Sequence, residues 1–336
     1  MALLAIFAKD AQTNFFPLIM PFTEPSPLGD FFFAFLSILF EGAPYILLGT
    51  IISGFIDAYL PANMMDRILP RNRYGAIALS GLLGVVFPVC ECAIVPVIRR
   101  LVKKGLPVSC AITYMLSAPI VNPVVALSTY SAFAGPDAGY MTISRIGVAY
   151  IVTVFVGFVV HQFSAGSILR DFLLRKTDKN EAQHEHEHEH EVLEGRDGGP
   201  DKLVLALRAA ARDFIDVGMY FTIGVMITAL YRTQIDQAAI DRFGSSDWMG
   251  VPVMMALAFI LSLCSTSDAF IAANMTSFSA AAKLSFLSYG PMMDVKLVFM
   301  YGAIFKPRFV IALALGLFVL FGIIYMQWGN IPVPKT

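Results

Sequence analysis

Three stretches of this chain, Gly105 to Pro136, Ile146 to Leu169 and Phe309 to Pro334, contain no Asp, Glu, Lys or Arg. A helix needs about 20 consecutive, mostly apolar residues to cross the hydrocarbon core of a bilayer, and each stretch is long enough. Five more meet the criterion with one or two charges each: Phe31 to Leu60 with Glu41 and Asp57, Tyr74 to Ile98 with Glu91, Phe214 to Tyr231 with Asp216, Trp248 to Ala282 with Asp268, and Leu284 to Phe305 with Asp294 and Lys296. In lipid every backbone polar group must be satisfied internally, which selects helices. The expectation is an all-α, polytopic transmembrane protein of about 8 spans (8–10). Every segment contains Gly or Pro, so broken or re-entrant helices are expected at its centre.

Composition agrees: 57% of the 336 residues are hydrophobic and 15% charged, a balance unlike that of a soluble domain. A net charge of −1 provides no basic field for nucleic acid, which is set aside as a partner. The first residues, Met1 to Met20, include Lys9 and Asp10 and lack the basic start and small-residue cleavage site of a secretory signal, so they read as retained. The four cysteines lie in or beside apolar segments, and their spacing is not that of a disulfide framework.

Charge divides the chain into a peripheral segment (1–30), a first transmembrane unit (31–169), a polar linker (170–213) and a second unit (214–336). Basic residues near helix ends favour the cytoplasm, which places there the linker and the cluster Arg99, Arg100, Lys103 and Lys104. The Gly135-Pro136-Asp137 turn is then external, the Lys283 turn cytoplasmic, and both termini inside. Arg67, Arg71, Arg73, Lys306 and Arg308 fit this register badly, because it puts them in external loops.

The units look duplicated. Tyr45, Gly49 and Asp66-Arg67 recur as Tyr220, Gly224 and Asp241-Arg242, 175 positions on. Cys90 faces Cys264 at 174, and Ala118-Pro119 with Asn122 faces Gly290-Pro291 with Asp294 at 172. An even number of spans per unit favours parallel repeats, whereas one re-entrant segment in each would invert them.

Four breaks carry the polar chemistry. Pro88 and Pro96 flank Cys90-Glu91-Cys92, and the exposed backbone of such a break at membrane depth must be buried in protein or line a wet cavity. An ionisable residue there, Glu91, costs several kcal/mol unless it finds a partner, a cavity or a proton. Two thiols one residue apart are soft ligands suited to Cu(I), Zn(II) or trivalent arsenic, and the pair is not a redox Cys-x-x-Cys. The equivalent break, Cys264-Ser265-Thr266-Ser267-Asp268, replaces the thiol pair with hydroxyls and a carboxylate. The expected substrate site gathers Cys90, Glu91, Cys92, Cys264, Ser267 and Asp268 at the midplane, with Glu91 and Asp268 as proton-coupling groups. Asn122 between Pro119 and Pro123, and Asp294 after Gly290-Pro291, join it from the second pair of breaks. Asp294 and Lys296, two apart, do not face each other on a regular helix, so their partners lie elsewhere unless the helix is broken there.

In the linker, His184, His186, His188 and His190 alternate with glutamates. In an extended chain all four imidazoles share one face and in a helix they form pairs four apart, either able to hold Zn(II), Ni(II) or Cu(II), while the bland alternative is a soluble disordered spacer. His161 and Cys110 read as packing residues.

The motifs Pro88-Val89-Cys90-Glu91-Cys92-Ala93, Ser117-Ala118-Pro119 with Asn122-Pro123, Cys264 with Ser267-Asp268-Ala269, and Gly290-Pro291 with Asp294 resemble, in order, those of the bacterial ArsP/YraQ-type permease family. The resemblance runs from about Phe31 to the last span. It implies a multi-pass permease of the bacterial inner membrane exporting trivalent organoarsenicals, with Cys90, Cys92 and Cys264 handling the arsenic. No phosphate-binding Gly-x-x-x-x-Gly-Lys-Ser/Thr motif is present, so the expectation is a transporter and not an enzyme, without a cofactor. The rivals are a membrane thiol oxidoreductase using Cys90 and Cys92, and a channel-like metal or small-molecule transporter.

Overall fold

A computed structural model describes residues 27–59, 70, 72–135, 137–170, 199–232 and 247–328. Among them the fold is helical, with a single isolated bridge between Leu169 and Phe305. The helices are α1 (Pro27–Tyr59), α2 (Arg73–Val86), α3 (Glu91–Lys103), α4 (Val108–Ser117), α5 (Pro123–Ala132), α6 (Ala138–His161), the single turn α7 (Ala165–Ile168), α8 (Gly199–Arg232), α9 (Asp247–Leu261), α10 (Asp268–Asn274), α11 (Ala280–Tyr289), α12 (Val295–Tyr301) and α13 (Pro307–Trp328). The linker histidines, Asp66-Arg67 and Asp241-Arg242 lie outside the described residues.

Four helices, α1, α6, α8 and α13, are each long and apolar enough to cross a membrane. The other four apolar segments are helix pairs meeting at a break: α2 with α3, α4 with α5, α9 with α10, and α11 with α12. At about 1.5 Å per residue the short helices, from 7 residues in α10 to 15 in α9, cover about a third to three quarters of a bilayer core, so the breaks fall inside it. All eight apolar segments are helical, four unbroken and four broken at or beside Pro, Cys, Asn, Asp or Glu.

Side-by-side contacts fix the direction of each segment. α2 and α4 run together: Ile77 and Thr113 both meet Gly157 of α6, and Gly84 packs on Ala118 and Val121. α3 leads into α4 through the short turn at 104–107, so α3 ends on the face where α2 and α4 begin. The α2–α3 segment therefore dips to mid-depth and returns, with its tip at 87–90. In the other half α9 and α11 run together, Gly250 lying by Ala282 and Gly290 by Ala258, and α10 leads into α11. This second hairpin enters from the opposite face. Both α4–α5 and α11–α12 continue past their breaks.

The face on which α6 ends and α8 begins is termed the linker face, and the opposite one the far face. α1 and α8 are antiparallel, with Gly42 against Phe221 and Gly54 against Ala206. The even-number argument for parallel halves gives way, because a segment that dips and returns does not change sides. Each half has three crossings and a hairpin in the same order, and the halves run in opposite directions. Arg73, Lys306 and Arg308 consequently stand on the linker face with Arg99 and Arg100. There the Lys306 amide donates to the Ile168 carbonyl at 2.9 Å and that of Arg170 to Ile304 at 3.1 Å. The Lys283 turn, the start of α1 and the end of α13 fall on the far face, where the Trp328 indole donates to the Tyr140 hydroxyl. The described ends are thus on the side opposite to that expected for the termini.

Candidate functional site

The two hairpin tips meet at the centre. Cys90 is the N-cap of α3 and Ser267 that of α10, so both tips place a helix N-terminus at mid-depth. Glu91 is 1% exposed in the first turn of α3. Its carboxylate accepts from the Ser265 hydroxyl of the opposite tip at 3.2 Å and lies 3.4 Å from the Lys296 ammonium.

Lys296 joins three elements. Its ammonium donates to the Ser262 carbonyl at 2.9 Å and lies 3.4 Å from Asp294 Oδ2 as well as from Glu91. Asp294 and Lys296 thus face each other across a broken helix: Asp294 caps α12, accepting from the Leu297 amide at 2.7 Å, and leaves its second oxygen to the lysine. Asn122 caps α5 in the same way, accepting from Val124 at 2.9 Å, with Pro123 at the first helical position, where no N–H is needed. Asn122 and Asp294 hold helix starts, while Lys296 brings charge to the site.

A second buried ion pair supports the other tip. Arg145 of α6, with no exposed surface, donates to Asp268 Oδ2 at 2.8 Å, to the Ser265 carbonyl at 3.1 Å and to Thr129 Oγ1 at 2.7 Å. Ser128 donates to the Thr266 carbonyl, and Ser267 to that of Cys264 at 3.1 Å. Side chains from α5, α6 and α12 thereby satisfy carbonyls that the break removes from helical pairing, the requirement set by a low-dielectric surrounding. Ser262 sits in the left-handed region (φ 48°), a conformation uncommon for a non-glycine residue, and its carbonyl is the one Lys296 holds.

Cys90, Glu91, Cys92, Cys264 and Lys296 line one pocket, closed on its other side by Glu41 and Tyr45 of α1 and Phe221 of α8. Its empty space is about 270 Å³ with the open mouth counted, but the part that a water-sized sphere can occupy is about 20 Å³, room for little more than a water molecule. All four cysteines are free thiols. The expected gathering of three cysteines with Glu91 is present as a shared lining. Asp268 stands apart, engaged by Arg145, and Ser267 serves as the cap of α10. Among the described residues no three His, Cys, Asp or Glu side chains are placed to hold one metal ion.

The sequence reading missed Arg145, Lys296, Glu41 and Tyr45 as site residues. Arg145 immediately precedes the charge-free stretch that starts at Ile146, yet it lies inside α6. Glu41 and Tyr45, one helical turn apart in α1, are legible as a polar stripe at membrane depth.

A family model described as a predicted permease matches residues 28–327. The UPF0718 protein YcgR of Bacillus subtilis is 40% identical over 281 residues, 83% of this chain and 90% of that protein. A putative two-component membrane permease complex subunit of Streptococcus mutans is 34% identical over 278 residues, 82% of this chain and 87% of that protein. No solved structure matches.

Proposed function

Since the chain belongs to the ArsP-type family of predicted permeases, we propose that it exports a small, soft, thiol-reactive species, a trivalent organoarsenical or related metalloid compound, through the pocket between the hairpin tips. One observation carries the reading: Cys90, Cys92 and Cys264 line a single mid-depth pocket beside Glu91 and Lys296. Soft sulfur ligands bind a trivalent arsenic centre in preference to hard cations, and free thiols can take it up and release it by exchange. Glu91 and Asp268 are proposed to carry protons during the cycle. The halves are read as duplicated units of inverted topology, an arrangement common among secondary transporters with midplane sites at broken helices. Arg73, Arg99, Arg100, Lys103, Lys104, Lys306 and Arg308 share the linker face, which supports a cytoplasmic linker in a bacterial inner membrane.

Binding of phenylarsine oxide, a trivalent monoaryl arsenical, to the purified protein tests the site. Wild type is expected to bind one equivalent with at least tenfold higher affinity than Cys90→Ser or Cys264→Ser, while Cys110→Ser, away from the pocket, binds as wild type. Equal binding by all four proteins overturns the soft-ligand site. The streptococcal relative is described as one subunit of a complex, and we extend to this chain the need for a second component. Transport by native membranes and none by liposomes holding this chain alone is the expected result; equal transport by both overturns that partner.

A further inference from the structure

The long helices α1 and α8 pack on the rest of the molecule asymmetrically, although the two halves share one element order. Each rests on a short helix running from a break to the linker face. A Cβ added to Gly49 of α1 would lie 2.6 Å from the Ala93 carbonyl oxygen of α3, and one added to Gly224 of α8 would lie 2.7 Å from Lys296 Cα of α12. Both contacts need glycine, because backbone approaches backbone with no room for a side chain. Ser53 adds a bond to the Pro96 carbonyl at 3.1 Å. With α1 and α8 seated, neither α3 nor α12 has an exposed residue.

Their counterparts on the far face lack this cover. By the offsets between the halves, Ala93 and Pro96 correspond to Ser267 and Phe270 of α10, and Lys296 to Val124 of α5. Phe270 is 49% exposed, and Val124, Leu127 and Tyr130, on one face of α5, are 55%, 57% and 56% exposed. The inner faces do match: Val125 and Thr129 are as buried as their counterparts Leu297 and Tyr301. At these matched positions the exposure differs where α1 and α8 cover one half and not the other.

We propose that this uncovered face of α5 and α10 is a second seat for the α1–α8 pair. The permease then alternates access by moving the pair from α3 and α12 to α5 and α10. This rests on the permease reading and on the halves being related. Exchanging the roles of the two units puts Gly49 opposite Val124 and Gly224 opposite Ser267. The thiol pocket lies between the seats, with one wall, Glu41, Tyr45 and Phe221, on the moving pair. The present form is closed toward the linker face. A latch holds it: on α3, Arg100 donates to Asp213 of α8 at 2.9 Å and Arg99 to Asp216 at 3.1 Å, with Ser53 of α1 also bonded to Asp213 at 3.0 Å.

Double electron–electron resonance tests the exchange, with spin labels attached through genetically encoded keto amino acids so that the four cysteines remain. One pair, at Phe40 and Ser131, reports the far face, and another, at Lys104 and Arg208, the linker face. The proposal expects two populations at each pair, differing by about 5 Å or more, the scale of a helical turn. Asp213→Asn weakens the latch and shifts both pairs reciprocally, the far-face distance shortening as the linker-face distance lengthens. Single, invariant distances at both pairs in wild type and Asp213→Asn overturn the exchange, and the α5 face is then lipid-facing surface. That outcome with arsenical transport intact leaves the permease reading standing. Reciprocal distances without transport overturn the substrate and keep the exchange.

Discussion

Lys296 and Arg145 are the only cations among the described residues that are buried at the level of the breaks, and each is tied to a hairpin tip through a carboxylate and a backbone carbonyl. Removing one member of such a pair leaves the other charge desolvated and unpaired, which costs about 3–5 kcal/mol, whereas replacing both with apolar or neutral groups costs far less. Arg145→Met is therefore expected to destabilise the purified protein in detergent by about that amount, and Arg145→Met with Asp268→Asn to recover much of it; thermal unfolding of the two variants measures the difference. Glu91→Gln is milder, because Asp294 remains to balance Lys296 at 3.4 Å. The sequence marked Glu91 as a costly group in need of a partner, a cavity or a proton, and Asp268 as a carboxylate at the matching break. It could not pair them, since Lys296 lies 205 positions from Glu91 and Arg145 lies 123 from Asp268. Those separations close where residues of the two halves meet at the hairpin tips.

At the scale of the element, the breaks are built from local rules. Asn122 and Asp294 each stand one residue before a new helix and accept a backbone N–H in its first turn. Asn122→Ala is expected to cost about 1 kcal/mol, the usual value of such a cap. Asp294→Ala is expected to cost more, through the lost partner of Lys296, and unfolding midpoints of the two variants test the order. Long-helix packing is as specific: Gly224→Val forces side-chain atoms into the α12 backbone at Lys296 and should destabilise by about 1–3 kcal/mol. Val substituted at Gly218 on the same helix, where an added Cβ meets nothing within 4 Å, is the control expected to show little change. The positions of the breaks were legible because Pro, Cys and acidic residues interrupt apolar runs. Whether a broken segment crosses or returns was not, because the composition of α2–α3 and of α4–α5 is much alike. The decision rests on packing of Gly84 against Ala118 and of Gly290 against Ala258, which sets direction.

For the whole molecule, the hairpins reconcile charge with topology. Reading every apolar segment as a crossing put Arg73, Lys306 and Arg308 outside, against the bias of basic residues toward the cytoplasm; letting one segment in each half return brings them to the linker face. Alkaline phosphatase, active only outside the cytoplasm, is expected to be active when fused after Trp328 and inactive when fused after Arg170; the reverse pattern would invert the orientation. The proposed route takes a soft substrate through the thiol pocket between the two tips. Its most direct measurement is uptake of a methylated trivalent arsenical into everted membrane vesicles carrying the wild-type chain, Cys90→Ser or Cys264→Ser. Saturable uptake by wild type, falling at least tenfold in each variant at equal protein level, is the predicted result. Uptake that is unchanged in both variants, or no greater in wild type than in vesicles without the protein, would contradict it.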